Sequence, residues 1–245
     1  MHKDGYFYEH IAATYDRDLA YKFDPEIVNP TVDFLADLAG DGRALELGSG
    51  TGRITLPLAR RGVPVAGIEM SVAMNDRLRA KPGGEEIDIT IGDFATASVD
   101  GSFRVAYLVF GTISNLTTQA AQVACFRNVA AHLEPGGYFV IEVGIPKLQH
   151  LPYGETVRPF QVDEDYLGFD EYNLAEQGLI SHHFRLVDGN WERFSSPFRY
   201  VWPSELDLMA ELAGMKPYER WSGWNREAFT SDSLSLVAVW HKPTL

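Results

Sequence analysis

The residues best suited to binding a ligand are three glycines at alternate positions, Gly48, Gly50 and Gly52, with Glu46 two places ahead of the first. Glycine lets the chain turn sharply and lets a ligand lie directly against the backbone, where a side chain would clash. The third glycine comes one residue earlier than in the Gly-x-Gly-x-x-Gly pattern of dinucleotide-binding proteins. The spacing therefore predicts a nucleotide-like ligand other than a dinucleotide.

Further candidate residues stand where the next predicted strands end. Glu69 ends the second strand, about twenty residues beyond the glycines, where an acidic side chain can accept hydrogen bonds from both hydroxyls of a ribose. Asp93 ends the third strand and Phe110 the fourth. Ligands of doubly wound sheets bind in the crevice outside the carboxyl ends of the strands. We therefore expect these three residues to line one crevice with the glycine loop.

With its acidic residue ahead of the glycines, the loop at residues 46–52 resembles motif I of the class I S-adenosylmethionine-dependent methyltransferases. The resemblance extends over most of residues 8–143 and 204–240. It implies that S-adenosyl-L-methionine is the cofactor and that the chain is a methyltransferase. The cofactor-binding residues that it implies are Tyr15, Glu46, Gly48, Ser49, Gly50, Gly52, Glu69, Met70, Asp93, Phe94 and Phe110.

The same resemblance implies a role for each strand end. Glu69 would bind the ribose hydroxyls, and Met70 would lie against the adenine. Asp93 would lie near the exocyclic amine of the adenine, with the backbone of Phe94 beside it. The backbone at Phe110 would supply the oxygen that holds the methionine amino group.

Residues 13–16, 110–116 and 133–137 resemble the small-molecule methyltransferases of bacterial natural-product pathways, including the aminosugar N-methyltransferases. The aminosugar enzymes tend to have a histidine where this chain has Asn115, so their exact acceptor does not carry over. The resemblance implies methylation of a nitrogen or an oxygen of a small metabolite. One alternative is a cofactor-binding protein without methyl transfer, either a repurposed fold or a partner subunit. Another is a nicotinamide-dependent oxidoreductase, which would need the longer glycine spacing.

Methyl transfer from a sulfonium needs the nucleophile in line with the sulfur–methyl bond, so positioning and desolvation can supply most of the catalysis. Tyr15 is a candidate catalytic residue because it could face the sulfonium or orient the acceptor; aromatic packing is the alternative. His150 and His182 are candidate bases, with a structural histidine as the alternative. His182 and His183 are adjacent in a predicted strand, so they should point to opposite faces. The predicted acceptor contacts are Tyr21, Asn115 and Tyr153.

Short apolar runs alternate with helical stretches from residue 44 onwards, which is typical of βαβ units. We expect an α/β fold with a doubly wound, Rossmann-like, seven-stranded and mostly parallel sheet, a C-terminal antiparallel hairpin and an antiparallel β insertion. The predicted core strands are 44–47, 64–69, 87–91, 105–110 and 138–143, the hairpin is 215–221 with 233–240, and the insertion strands are 166–175, 179–187 and 191–202.

These elements predict a single domain over residues 1–245. Residues 1–40 form an N-terminal helical cap, residues 41–143 and 203–245 form the core, and residues 144–202 form the insertion. The insertion is expected to serve as an acceptor lid or as a dimer interface.

The formal net charge of −13 opposes attraction to phosphates, so we expect no nucleic-acid partner. The densest basic cluster, residues 77–81, falls at a predicted helix end, where contact with the helix dipole accounts for it. No apolar run reaches the roughly 18 residues of a membrane span, and the start of the chain lacks a secretion pattern. We therefore expect no membrane contact and a cytoplasmic protein.

The remaining partner predictions concern cysteine, metal and assembly. Cys125 lies in an apolar helical pattern and should be a small buried residue. No Cys/His cluster has the spacing of metal ligands, so no metal is expected. The expected partners are a small-molecule acceptor and a second copy of the chain.

Overall fold

A computed structural model describes residues 9–244. The helices are α1 Glu9–Asp18, α2 Pro25–Ala39, α3 Thr55–Arg60, α4 Val72–Arg79, α5 Gln119–His132 and α6 Pro203–Leu212. The strands are β1 Ala44–Leu47, β2 Val65–Glu69, β3 Asp88–Ile91, β4 Phe103–Leu108, β5 Leu133–Gly144, β6 Val157–Val162, β7 Tyr166–Asn173, β8 Gly178–Val187, β9 Asn190–Arg199, β10 Lys216–Trp221 and β11 Ser235–His241.

The central sheet has seven strands in the order β10-β11-β5-β4-β1-β2-β3. β1 pairs in parallel with both β2 and β4, and β4 pairs in parallel with β5. β11 is antiparallel to β5 and to β10, which makes the C-terminal hairpin. The predicted fold class is confirmed, and the strand order reverses at β1, where such sheets bind their ligands.

The helices that cover the sheet begin where the sequence offers a cap. Asp24 precedes Pro25 at the start of α2 and accepts a hydrogen bond from the Glu26 N–H. Ser71 caps α4 by accepting from the Met74 N–H, and Thr118 caps α5 in the same way. Such caps satisfy backbone donors that a helix start leaves unpaired. Apolar side chains of these helices form a core on each face of the sheet.

The insertion is a separate antiparallel sheet in the order β6-β7-β8-β9. Three of its strands match the predicted ones, but the first was missed. β6 is an exposed edge strand that contains Pro159 and a register irregularity beside it. Proline is confined to edge strands, strand starts and bulges, so a proline within the segment gave no signal of a strand.

Several boundaries also differ from the predicted ones. β5 begins at Leu133, five residues earlier than expected, because Leu133 already pairs with Phe103 of β4, ahead of a register irregularity that skips residues 134–137. Cys125 is buried as predicted, and burial raises the pKa of its thiol. None of the helices between residues 9 and 244 is long and apolar enough to cross a membrane.

Candidate active site

The glycine loop joins β1 to α3, and its three glycines have left-handed backbone angles. The φ angles of Gly48, Gly50 and Gly52 are +76°, +55° and +84°, a region that side chains disfavour. A Cβ on Gly48 would come 2.8 Å from the Cγ2 of Thr112, whereas one on Gly50 would meet nothing within 4 Å. Glycine at position 48 therefore lets the loop backbone pack closely against Thr112. At Gly50, the missing side chain leaves open space above the loop.

Glu69 at the end of β2 lies directly beside this loop. Its carboxylate accepts hydrogen bonds from the Gly50 N–H at 2.7 Å and from the Ser71 N–H at 2.8 Å. Burial raises the pKa of Glu69, against the opposing effect of these backbone donors. The two predicted features, the glycine turn and the acidic strand end, thus form one connected structure.

Glu46 lies below the loop in β1 and is almost fully buried. Its carboxylate accepts hydrogen bonds from the hydroxyl groups of Thr55 and, at 3.0 Å, Tyr107. Burial raises the pKa of Glu46 to about 7, although both hydroxyl donors act in the opposite direction. This side chain therefore contacts the protein's own hydroxyls beneath the loop.

The turn after β3 is fixed by two side chains. Asp93 accepts a hydrogen bond from the Ala95 N–H at 2.8 Å. Asn128 on α5 donates to the backbone oxygens of Phe94, at 3.0 Å, and Ala97, at 2.9 Å. Phe94 is buried, and its ring packs in the core on one face of the sheet. Asn128 was missed because nothing in the helical pattern of α5 distinguishes it.

Phe110, after β4, has a φ angle of +58°, which is strained for an aromatic residue. Its N–H donates to the Glu142 carboxylate at 2.7 Å, and its ring is 44% exposed. The guanidinium of Arg53 and the ammonium of Lys22 lie 5.4 and 5.2 Å from the ring centroid. Sequence reasoning found Phe110 but not these three neighbours, of which Glu142 alone gave a signal, as a carboxylate within an apolar strand.

Helix α1 lies against the glycine loop. Asp16 accepts a hydrogen bond from the Thr51 hydroxyl at 2.5 Å. Burial raises the pKa of the neighbouring Tyr15, and the charges of Arg53 and Glu69 act on its phenol. The structure therefore brings Tyr15 to the loop and the acidic strand end. Tyr21, by contrast, is 62% exposed.

The two adjacent insertion histidines point to opposite faces of their sheet, as predicted. His182 is buried. Its Nδ1 lies 2.8 Å from the Ser195 hydroxyl, and its Nε2 lies 3.1 Å from the Glu171 carboxylate. His183 stacks on Phe194 with ring centroids 4.4 Å apart. Sheet B, as we call β6 to β9, therefore presents a different histidine on each side.

The structure places the remaining predicted acceptor contacts in different segments of the chain. Asn115 ends the 3-10 turn Thr112–Asn115, which begins two residues after Phe110. His150 and Tyr153 are exposed in the segment that links β5 to sheet B. No described contact joins either of these two to the loop.

A doubly wound sheet with a glycine loop at its switch point and a carboxylate at the next strand end defines a class of nucleotide-cofactor enzymes. Residues 44–137 match the family described as a methyltransferase domain. The solved structure of the CcbJ methyltransferase from Streptomyces caelestis is 33% identical, covers 99% of this chain and 98% of that one, and superposes with a TM-score of 0.85.

Two further relatives agree with this match. The cypemycin N-terminal methyltransferase of a Streptomyces species is 26% identical over 205 residues, covering 81% of this chain and 83% of that protein. CalS10 of Micromonospora echinaspora, an amino pentose methyltransferase solved with S-adenosylmethionine, is 21% identical over 92% of this chain and 96% of that one, with a TM-score of 0.68. The chain belongs to the S-adenosylmethionine-dependent methyltransferases, and S-adenosyl-L-methionine is its cofactor.

Proposed function

We propose that this methyltransferase holds its cofactor at the carboxyl ends of β1, β2, β3 and β4 and methylates a nitrogen of a small molecule. When bound, the cofactor supplies a methyl group on a sulfonium sulfur: the carbon–nitrogen bond forms as the carbon–sulfur bond breaks, and the sulfur departs as a neutral thioether. Everything else is positioning by the protein.

The donor side fits such a cofactor. Gly50 offers open space above a backbone that no side chain covers. Glu69 presents a carboxylate beside that space, and a carboxylate can accept from both hydroxyls of a ribose. Tyr15 on α1 adds an aromatic ring, which attracts a sulfonium through its negative face, and Phe110 after β4 offers its backbone oxygen. These four residues, with Asp93 and Met70 at the adenine end, are the proposed cofactor contacts.

The acceptor side is proposed to be sheet B, within the insertion at 144–202. Arg185 on β8 donates to Asp18 at the end of α1, at 3.2 Å. At the other end, the Gln122 amide donates to the backbone oxygens of Ile113, at 3.3 Å, and Arg199, at 3.2 Å. Sheet B is thus attached both to α1 and to the turn after β4, which flank the glycine loop. This arrangement supports a lid role over the crevice.

The residues of sheet B that face α1 follow from strand alternation. Arg185, two residues beyond His183, shares a face with it, and the cross-strand partner of His183 is Phe194. His182, with Glu171 and Ser195, lies on the opposite face. We therefore propose His183, rather than His182, as the insertion histidine nearest the acceptor.

The observation that carries nitrogen over oxygen is the packing of His183, whose ring stacks on Phe194 and whose Nδ1 is hydrogen-bonded to the Tyr166 hydroxyl. Burial, helped by the positive charge of Arg185, lowers the pKa of His183 to about 4. At neutral pH such an imidazole is a poor base, and a hydroxyl acceptor would need a better one. An amine needs only to arrive without its proton. The name of the cypemycin N-terminal methyltransferase, a protein that covers most of this chain, supports the same choice.

A paired-acceptor assay tests the choice of atom. Methyl-13C-labelled cofactor is incubated with the 4-nitrophenyl glycoside of an aminosugar and with that of the parent hydroxy sugar, and the product methyl carbon is identified by NMR. We expect a labelled N-methyl signal, with a rate that rises with pH until the acceptor amine is deprotonated. A labelled O-methyl product from the hydroxy sugar would contradict the proposal.

The donor site is tested separately with S-adenosylhomocysteine, because that probe needs no acceptor. Glu69→Gln removes the charge and keeps an oxygen for one of the two backbone donors. A hydrogen bond to a charged group contributes about 1.5–3 kcal/mol, so affinity should fall by roughly ten- to a hundredfold. Equal affinity in calorimetric titrations of both proteins would argue against the ribose role of Glu69.

A further inference from the structure

Lys81 stands two residues after the end of α4, within the basic cluster at residues 77–81. A helix dipole would account for a cation at this place, yet its ammonium makes specific contacts elsewhere. It lies 2.5 Å from the Asp16 carboxylate on α1 and donates to the backbone oxygen of Thr51 at 2.7 Å. It also lies 5.2 Å from the ring centroid of Phe23. One side chain thus joins α1, the 3-10 turn after it and the glycine loop.

The three groups form a closed triangle. Asp16 uses one carboxylate oxygen for Lys81 and the other for the Thr51 hydroxyl. Thr51 is consequently held at both its hydroxyl and its backbone oxygen. Because the ammonium is 27% exposed and the carboxylate 40%, the pair is screened only in part by water.

The triangle complements the contact made by Glu69 on the neighbouring residue of the loop. Glu69 holds the Gly50 N–H from one side, and the Asp16–Lys81 pair holds Thr51 from the other. Glycine-rich loops gain backbone freedom when unrestrained, and restraining them beforehand reduces the entropy lost on ligand binding. The same triangle fixes α1, and therefore Tyr15, against the loop.

We propose that Lys81 is a positioning residue for the donor site, acting through Asp16 and Thr51 to hold α1 closed over the glycine loop. The proposal rests on the proposed cofactor site and adds a residue far from the strand ends to it. Loss of the ammonium lets α1 and the loop open more often, so bound cofactor leaves faster. Turnover also falls, because Tyr15 moves with α1.

The test measures the dissociation rate of S-adenosylhomocysteine from the full chain by surface plasmon resonance. Lys81→Met keeps the aliphatic stem and removes the charge. We expect dissociation about tenfold faster, since one shared ammonium contributes an ion pair and a charged hydrogen bond. Lys81→Arg should recover most of the loss. The matched control is Arg61→Met, which removes an exposed ion pair between Arg61 and Asp33 of α2, 2.8 Å apart. This control should leave the dissociation rate unchanged.

A double-mutant cycle separates this route from a direct charge effect. If Lys81 acts through Asp16, Lys81→Met in an Asp16→Asn background should change the dissociation rate clearly less than tenfold, because only the hydrogen bond to the Thr51 oxygen remains to be lost. An undiminished tenfold effect there would overturn the proposal. Hydrogen exchange should increase in residues 9–18 and 48–52 of the variant, and an increase spread evenly over the central sheet would also overturn it.

The two proposals fail in different ways. If the wild-type chain binds no S-adenosylhomocysteine, the proposed donor site is wrong. If the wild type binds it and Lys81→Met dissociates at the same rate, the donor site stands and the role of Lys81 is refuted.

Discussion

The carboxyl group of Glu46 should make the stability of this protein fall as the pH rises. Burial raises its pKa from the ordinary value of 4.5 to about 7. In the unfolded chain the group titrates at the lower value, so between these values the folded state binds more protons. Stability then decreases with rising pH through this window, and levels off above the folded pKa. Glu46→Gln removes the titration while keeping an oxygen for the Thr55 and Tyr107 hydroxyls.

The size of the effect follows from the two pKa values. A shift of one unit corresponds to about 1.4 kcal/mol, so the full shift costs the folded state about 3 kcal/mol at high pH. Between about pH 5.5 and about pH 8.5, integration over the same window gives a loss of about 2 kcal/mol for the wild type relative to Glu46→Gln.

Urea unfolding followed by tryptophan fluorescence measures this difference, because the free energy of unfolding is obtained at each pH from one linear extrapolation. Glu211→Gln, at an exposed position of α6, is the control for changing a carboxylate to an amide. Its curve should run parallel to that of the wild type. If the curve for Glu46→Gln also runs parallel, Glu46 is ionised in the folded state at little cost, and the reasoning from burial is refuted.

Two further predictions concern the loop and the insertion. Gly48→Ala, which places a methyl group 2.8 Å from Thr112, should weaken S-adenosylhomocysteine binding in a calorimetric titration. Gly40→Ala is its control, since Gly40 has φ +52° but open space, and it should lower stability with unchanged affinity. Arg199→Met should lower the free energy of unfolding by about 2 kcal/mol, because it removes the charged hydrogen bond between the buried Arg199 and the partly buried Glu205 carboxylate. Adding Glu205→Leu should recover part of that loss, and no recovery would mean that the arginine stabilises by other contacts.

The central sheet was predictable because its signals are local. Each core strand is a short apolar run, and each of the longer helices has an apolar face, so neither depends on distant residues. β6 was not predictable in this way, because an exposed edge strand with Pro159 lacks both the apolar run and the alternation. Its pairing with β7 decides that it is a strand.

Residues of the glycine loop and the strand ends were also visible in the sequence, since chain connectivity fixes where the carboxyl ends of parallel strands meet. The residues that hold them were not. Asn128, Glu142 and Lys81 each lie more than twenty residues from the backbone groups that they contact. No periodicity relates such pairs, because their proximity arises only when separate helices and strands are assembled.

The sequence by itself determined the α/β fold, the order of the core strands along the chain and the glycine turn with its acidic neighbour, because these follow from local periodicity and spacing. Only the tertiary structure decided which insertion histidine faces α1, why Glu46 resists ionisation and what holds α1 to the loop. Side-chain direction, desolvation and charge pairing depend on atoms brought together from distant parts of the chain, and these three answers therefore required the folded protein.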